Sequence, residues 1–140
     1  MKVHHIGYLV DNIETAAGEF ANFGFSRRGE VAEDPSREIY IQFLENSGYV
    51  IELIQPVSET SPVYGLRKKY RNSPYHICYE TDDLQREIET MVNFGGVTLL
   101  QPPQPAPAIQ GCPNVAFLMN RHIGMIELVE IKRNNSRYYT

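Results

Sequence analysis

The chain is short of cysteine, of excess positive charge and of long apolar runs, and each shortage removes a class of protein. Two cysteines, Cys78 and Cys112, cannot build a disulfide framework in 140 residues, and they show no metal-binding or redox spacing. Thiols this sparse suit a reducing compartment, so the expected location is cytoplasmic. The net charge is −4, with one basic cluster, Arg67-Lys68-Lys69-Tyr70-Arg71. That balance argues against a nucleic-acid partner, because phosphate binding needs a basic stripe. No run of about 18 apolar residues is present, and the N-terminus has no apolar signal-like stretch, so neither a membrane span nor a leader is expected. With 42% hydrophobic and 21% charged residues, the composition is that of one globular domain over residues 1–140, long enough for a real core.

What the chain does have is a repeat. Val3-His4-His5-Ile6-Gly7-Tyr8-Leu9-Val10 returns as Pro74-Tyr75-His76-Ile77-Cys78-Tyr79-Glu80-Thr81, with His76 in the place of His5. The register holds through Asp11 and Asp82, Glu14 and Gln85, Phe23 and Phe94, Gly24 and Gly95. A second echo, slipped by a few residues, pairs Val50-Ile51-Glu52-Leu53-Ile54 with Met125-Ile126-Glu127-Leu128-Val129. Two copies are too few for a solenoid, and the reading is a fused duplication.

Each copy reads as β-α-β-β-β. Residues 2–10 alternate as a strand, with Val3, His5, Gly7 and Leu9 on one face. Asp11 with Glu14, and Asp82 with Gln85, are expected to form capping boxes. Apolar residues then recur at helical spacing up to Gly24 in one copy and Gly95-Gly96 in the other. Strands are expected over 25–31, 39–44 and 49–55 in module one (2–55), and over 97–100, 114–119 and 124–131 in module two (74–131). Between the modules, 56–73 reads as a linker with a short helix, and Glu33-Asp34-Pro35-Ser36 as a turn. The run Gln101-Pro102-Pro103-Gln104-Pro105-Ala106-Pro107 reads as a stiff loop, since proline supplies no ladder donor. Residues 132–140 read as a polar, frayed tail. The expected fold is α+β, an eight-stranded, cup-shaped mixed sheet with helices on its outer face.

Four residues stand out by position. Glu52 and Glu127 each sit inside an otherwise apolar strand, where an ionised carboxylate needs a partner. If Ile51, Leu53, Ile126 and Leu128 meet the helices, both carboxylates point to the other face. His5 points there too, because Ile6 and Tyr8 belong on the helix side, and His76 follows by the repeat. Two imidazoles and two carboxylates converging make a site for one divalent metal ion. The mixed N/O set suits Zn, Ni, Co or Mn, with Fe also within reach.

Paired β-α-β-β-β modules with this pattern resemble the vicinal oxygen chelate (glyoxalase/bleomycin resistance/dioxygenase) superfamily. It includes glyoxalase I, methylmalonyl-CoA epimerase, extradiol dioxygenases and antibiotic-binding proteins. The likeness is closest to the epimerase branch. It rests on His5-Ile6-Gly7, on Ile51-Glu52-Leu53-Ile54-Gln55-Pro56, on Ser61-Pro62 and on Tyr75-His76-Ile77-Cys78-Tyr79-Glu80. The resemblance implies His5, Glu52, His76 and Glu127 as metal ligands, and proton abstraction α to a carbonyl with Glu127 as one base. It also implies a catalytic Glu in the turn before the second strand of module one. Here that position falls at Pro35 or Ser36, leaving Glu33 and Asp34 as the nearby candidates.

An acyl-CoA is then the expected substrate, with Arg67, Lys68, Lys69 and Arg71 near its phosphates, and a homodimer is expected by the same likeness. The alternative enzyme is glyoxalase I-like, acting on a thiol hemithioacetal with Glu52 and Glu127 as paired bases. A dioxygenase fits less well, because that class resembles a two-His, one-carboxylate site. A binding protein without metal or turnover is the reading outside enzymology.

Overall fold

A computed structural model describes residues 1–133. In chain order the elements are β1 (Val3–Leu9), α1 (Ile13–Ala21), β2 (Ser26–Asp34), β3 (Ile39–Asn46), β4 (Tyr49–Pro56), α2 (Tyr64–Tyr70), β5 (Ser73–Thr81), α3 (Leu84–Phe94), β6 (Val97–Pro105), β7 (Asn114–Asn120) and β8 (Gly124–Glu130). The β-α-β-β-β order occurs twice, with α2 between the copies. The expected tail lies mostly outside the described residues.

All eight strands join one mixed sheet in the order β2-β3-β4-β1-β5-β8-β7-β6. The pairs β1/β4 and β5/β8 are parallel, and the remaining pairs are antiparallel. The expected cup shape is corrected here. The sheet is open, with β2 and β6 as free ends that do not pair with one another. Neither end offers an unbroken ladder to close on. In β6 the prolines at 102, 103 and 105 supply no donors, and in β2 the register breaks between Arg28 and Ala32. The proline run also proves to be strand as far as Pro105, with only Ala106 and Pro107 left to the loop. An edge tolerates prolines that a central strand would not.

Helices α1 and α3 each cover their own half of one face, while α2 packs through Leu66 and Tyr70 on the other, against Leu9, Ile39, Ile41 and Ile54. Ile13 and Ala17 of α1 pack with Ile51, Leu53, Leu44 and Val10, while Leu84 and Ile88 of α3 pack with Ile126, Leu128, Leu118 and Ala116. Ile51, Leu53, Ile126 and Leu128 therefore meet the helices, and their neighbours Glu52 and Glu127 face the other way. Both helix starts differ from expectation by one residue. The caps are Asn12, whose Oδ1 accepts from the Thr15 N–H at 2.9 Å, and Asp83, whose Oδ1 accepts from the Arg86 N–H at 3.1 Å. Both caps have extended backbone, the geometry that lets a side-chain oxygen reach back over the first turn. Asp11 instead accepts from Arg67 Nε at 2.6 Å and Arg71 Nε at 2.8 Å, and Glu14 pairs with Arg27. Among the described residues no helix is long and apolar enough to cross a membrane.

Candidate metal centre and cavity

The face of the sheet opposite α1 and α3 is built in rows, because residues directly opposite one another share a face. Gly7 of β1 lies between Glu52 of β4 and His76 of β5, and Phe43 of β3 continues that row beside Glu52. In the other row Cys78 of β5 lies between His5 of β1 and Glu127 of β8, with Phe117 of β7 beyond. The two rows are the same pattern from the two copies, and they bring His5, Glu52, His76 and Glu127 together in the middle of the sheet. All four are buried, His5 to 1% exposure and Glu52, the most open, to 5%.

Their donor atoms lie within 4.8 Å of one another. His5 Nε2 is 3.3 Å from His76 Nε2, 2.9 Å from Glu127 Oε1 and 3.5 Å from Glu52 Oε1. His76 Nε2 is 3.3 Å from Glu127 Oε1 and 3.8 Å from Glu52 Oε1. His76 Nδ1 is buried without a hydrogen-bond partner, and Glu127 Oε1 has the two imidazole Nε2 atoms as its neighbours. Two buried imidazole nitrogens and two buried carboxylate oxygens around one point fit a divalent cation of the N/O-seeking kind. A second group, His4, His5 and Cys78, also comes together, sharing His5 with the first.

Within this group, neighbours and burial set the proton affinities of His5 and Glu127. Burial opposes a charge on His5, but the Glu52 charge and hydrogen bonds to Cys78, Glu127 and Glu52 raise its basicity well above that of a free imidazole. Burial likewise opposes ionisation of Glu127, yet hydrogen bonds to His5 and His76 hold its carboxyl below the usual range. Burial, reinforced by Glu127, pushes the Cys78 thiol far up, so it is inert at neutral pH. Burial and the Glu52 and Glu127 charges do the same to Tyr75, keeping its phenol protonated.

Several residues that shape this centre escaped the sequence reading. Gly7 leaves room for His76, since a Cβ at Gly7 would sit 2.0 Å from His76 Cε1. The β1/β5 register slips by one residue at His4 and again at Tyr75, the residues that precede the two histidines. His4 Nδ1 then lies 2.7 Å from His5 Nδ1, and the Tyr75 ring meets the His76 ring edge-on at 4.5 Å. Phe43 and Phe117 flank His5 and His76 edge-on at 5.6 and 5.4 Å.

The centre opens into a cavity of about 380 Å³ on the face opposite α1 and α3, where α2 contributes Leu66 to the wall. Glu52, Glu127, Tyr75, Met125 and Phe117 line its floor, and its walls are mostly apolar, with Ile39, Ile41, Ile54, Val63, Leu66 and Ile109. Asp34 reaches the wall and is 1% exposed, whereas Glu33 lies on the exposed side of β2 and does not line the cavity. Asp34 accepts from Ser36 Oγ at 2.7 Å, from the Arg37 N–H at 3.3 Å and from Arg37 Nη1 at 2.5 Å. In the basic cluster, Arg67 and Arg71 are bonded to Asp11, and Lys68 lines a shallow surface pocket with them.

With this geometry in place, the chain compares closely with known proteins. The family model described as the glyoxalase/bleomycin resistance protein/dioxygenase superfamily matches residues 4–117. An ethylmalonyl-CoA/methylmalonyl-CoA epimerase of Cereibacter sphaeroides is 26% identical over 133 residues, 93% of this chain and 98% of that protein. The human mitochondrial methylmalonyl-CoA epimerase is 25% identical over 88 residues, 62% of this chain but 50% of that protein. A crystal structure of a hypothetical protein from Bacillus halodurans C-125 superposes with a TM-score of 0.83 at 26% identity, covering 94% of this chain and 95% of the other. A Streptomyces coelicolor methylmalonyl-CoA epimerase variant in complex with 2-nitronate-propionyl-CoA superposes with a TM-score of 0.79. At 20% identity, over 95% and 99% of the two chains, it shares the fold.

Proposed function

The chain belongs to the glyoxalase/bleomycin resistance protein/dioxygenase superfamily, and from that membership we propose a metal-dependent epimerase acting on a small acyl-CoA. One domain over residues 1–140, made of two modules, carries the whole site. The observation that supports the reading best is the convergence of His5, Glu52, His76 and Glu127, one His and one Glu from each copy, at the floor of a largely apolar cavity. Relatives that carry the name of such an epimerase support the acyl-CoA class.

These four residues would hold the divalent cation, Zn, Ni, Co or Mn. When bound there, it supplies Lewis-acid polarisation of the substrate carbonyl, which makes the α-hydrogen acidic. Glu127, whose carboxyl is held ionised, is placed to take that proton from the floor of the cavity. Return of a proton to the opposite face falls to a second carboxylate, and Glu52 and Asp34 are the two others that line the cavity. The apolar walls exclude water from the carbanion while it lasts. Tyr75, kept as the neutral phenol, offers a hydrogen bond to an oxygen of the substrate.

The test is elemental analysis of the purified protein beside His76→Ala, followed by methylmalonyl-CoA in D₂O. Expected are near-stoichiometric transition metal in the parent, its loss in the variant, and one α-deuteron per turnover. Glu127→Gln, Glu52→Gln and Asp34→Asn then separate the proton-removing group from the proton-returning one. No metal uptake after dialysis against Zn, Ni, Co and Mn would overturn the catalytic reading. Turnover of a methylglyoxal hemithioacetal in place of the acyl-CoA would move the assignment to the glyoxalase I type.

A further inference from the structure

His5 has a second ring nitrogen, and a second donor set is built around it. Cys78 stands directly opposite His5 across the β1/β5 pair, at the register slip that also turns His4 towards His5. The Nδ1 atoms of His4 and His5 are 2.7 Å apart, and the donor atoms of His4, His5 and Cys78 all lie within 4.8 Å of one another. His5 and Cys78 are buried, while half-buried His4 carries the group towards the surface. The other nitrogen of His5, Nε2, is 2.9 Å from a carboxylate oxygen of Glu127. A histidine that holds a metal through one nitrogen almost always gives its other N–H to such a group, which fixes the tautomer. The duplication does not require these donors, since His76 meets Tyr75 and Gly7 where His5 meets His4 and Cys78. Exchanging two carboxylates for one thiol changes the metal that fits. Two imidazoles and a thiolate form the trigonal set that suits copper, and thiolate selects soft ions over those that prefer oxygen.

We infer that His4 Nδ1, His5 Nδ1 and Cys78 Sγ form a second cation site, selective for a thiophilic ion, cuprous copper, and joined to the four-residue centre through His5. On binding, the thiol proton and the proton between the two Nδ1 atoms leave to solvent, three bonds to copper form, and copper keeps its oxidation state. The two sites oppose one another. Copper at Nδ1 leaves the remaining ring proton on Nε2, towards Glu127, whereas a cation at the four-residue centre needs Nε2 bare. This site rests on its own geometry and not on the epimerase reading.

The experiment is anaerobic titration of the chelator-treated full chain with Cu⁺, in competition with a chromophoric cuprous chelator. A Cys112→Ser background removes the exposed thiol from the measurement. The expected result is one bound Cu⁺ per chain, with thiolate-to-copper charge-transfer absorption in the ultraviolet. Cys78→Ser abolishes that absorption. Cys78→Ser and His4→Ala each lower the affinity by more than the roughly 10- to 100-fold that an outer partner of a metal ligand is worth. Cys78→Ala repeats the measurement with an apolar replacement, so a folding failure of the serine variant does not decide the matter. His76→Ala, which removes a donor of the other centre only, keeps the Cu⁺ affinity, and prior loading of the parent with Mn²⁺ lowers it. No uptake by the parent overturns the inference, as does uptake that survives in the Cys78 variants and disappears in His76→Ala. Either result leaves Mn²⁺ uptake at the four-residue centre, and with it the epimerase reading, untouched.

Discussion

Replacing Gly7 by alanine adds one methyl group, and the structure places it inside a ring. The new Cβ would lie 2.0 Å from His76 Cε1 and 2.3 Å from both ring nitrogens. Carbon atoms in good contact are about 3.5–4.0 Å apart, so the imidazole must retreat by roughly 1.5 Å. It has little room to do so. Tyr75, Phe117 and His5 meet it edge-on, with centroids at 4.5, 5.4 and 5.5 Å. The backbone is not the obstacle, since Gly7 is absent from the positive-φ glycines. Overpacking of this kind costs about 1–3 kcal/mol of stability. A shift of about 1 Å at a reacting geometry can cost roughly 100-fold. Gly7→Ala is therefore expected to lower cation affinity by about 100-fold or more, measured by competition with a chromophoric chelator. Gly18→Ala is the control, because nothing lies within 4 Å of a Cβ at that position on α1. The double variant Gly7→Ala, His76→Ala removes the ring that the methyl strikes. Its melting temperature should recover relative to Gly7→Ala, while metal binding stays lost. Parent-like cation affinity in Gly7→Ala, or no recovery in the double variant, would refute the reasoning.

Two further outcomes follow from the neighbours and charges of His5. If His5 Nε2 faces the cation with its lone pair, Nδ1–H donates to His4 Nδ1 across 2.7 Å and fixes the tautomer. His4→Ala should then weaken cation binding by about 10- to 100-fold with all four donor residues intact, and unchanged affinity would remove His4 from the account. The second outcome concerns pH. The metal-free protein holds a proton on His5, whose basicity lies well above the ordinary value of 6.5. A raised value means that the stabilisation is complete below that ordinary value and is lost as pH rises through the raised one. Glu127, held low, has the opposite sense, and its contribution is lost only on strong acidification. Thermal melts of chelated protein from about pH 6 to 9 should therefore fall with pH. Cation affinity should rise over the same range, because the cation displaces that proton. A chelated protein that gains stability with alkalinity would contradict this.

The four residues that meet at the centre were legible because the chain states them twice. One His on a strand is weak evidence, but His5 and His76 in matching places, each followed by a carboxylate in an apolar strand, leave few geometries. The side that Glu52 faces followed from period-two alternation alone, since Ile51 and Leu53 had to meet α1. Gly7 was readable in principle, because a glycine inside a strand marks a close approach. Arg37 was not, since nothing in Asp34-Pro35-Ser36-Arg37 distinguishes a half-buried arginine on a cavity wall from a solvated turn. The caps were missed by one residue because Asp11-Asn12 and Asp82-Asp83 each offer two adjacent oxygens, and only backbone geometry chooses between them. Whether the end strands close on each other is not written in alternation at all. It depends on pairing between β2 and β6, the segments with the least regular ladders.

The two copies use one device with different chemistry. In each, the residue before the histidine is the one at which the β1/β5 register slips, His4 in the first and Tyr75 in the second. A slip of that kind re-aims side chains towards the centre. In the first copy the re-aimed residue is an imidazole, and it hydrogen-bonds the ring nitrogen of His5 that faces away from the donor cluster. In the second it is a phenol ring that packs against His76, whose Nδ1 is left without a partner. His5 is thus oriented by a bond, and His76 by contact with Tyr75, Phe117 and the bare backbone of Gly7. The cross-strand neighbour of His5 is Cys78, which carries a side chain, whereas that of His76 is Gly7, which cannot. The asymmetry at these matched positions answers the asymmetry of the rings above them. A perturbation of space therefore reaches His76 first, and a perturbation of hydrogen bonding reaches His5 first.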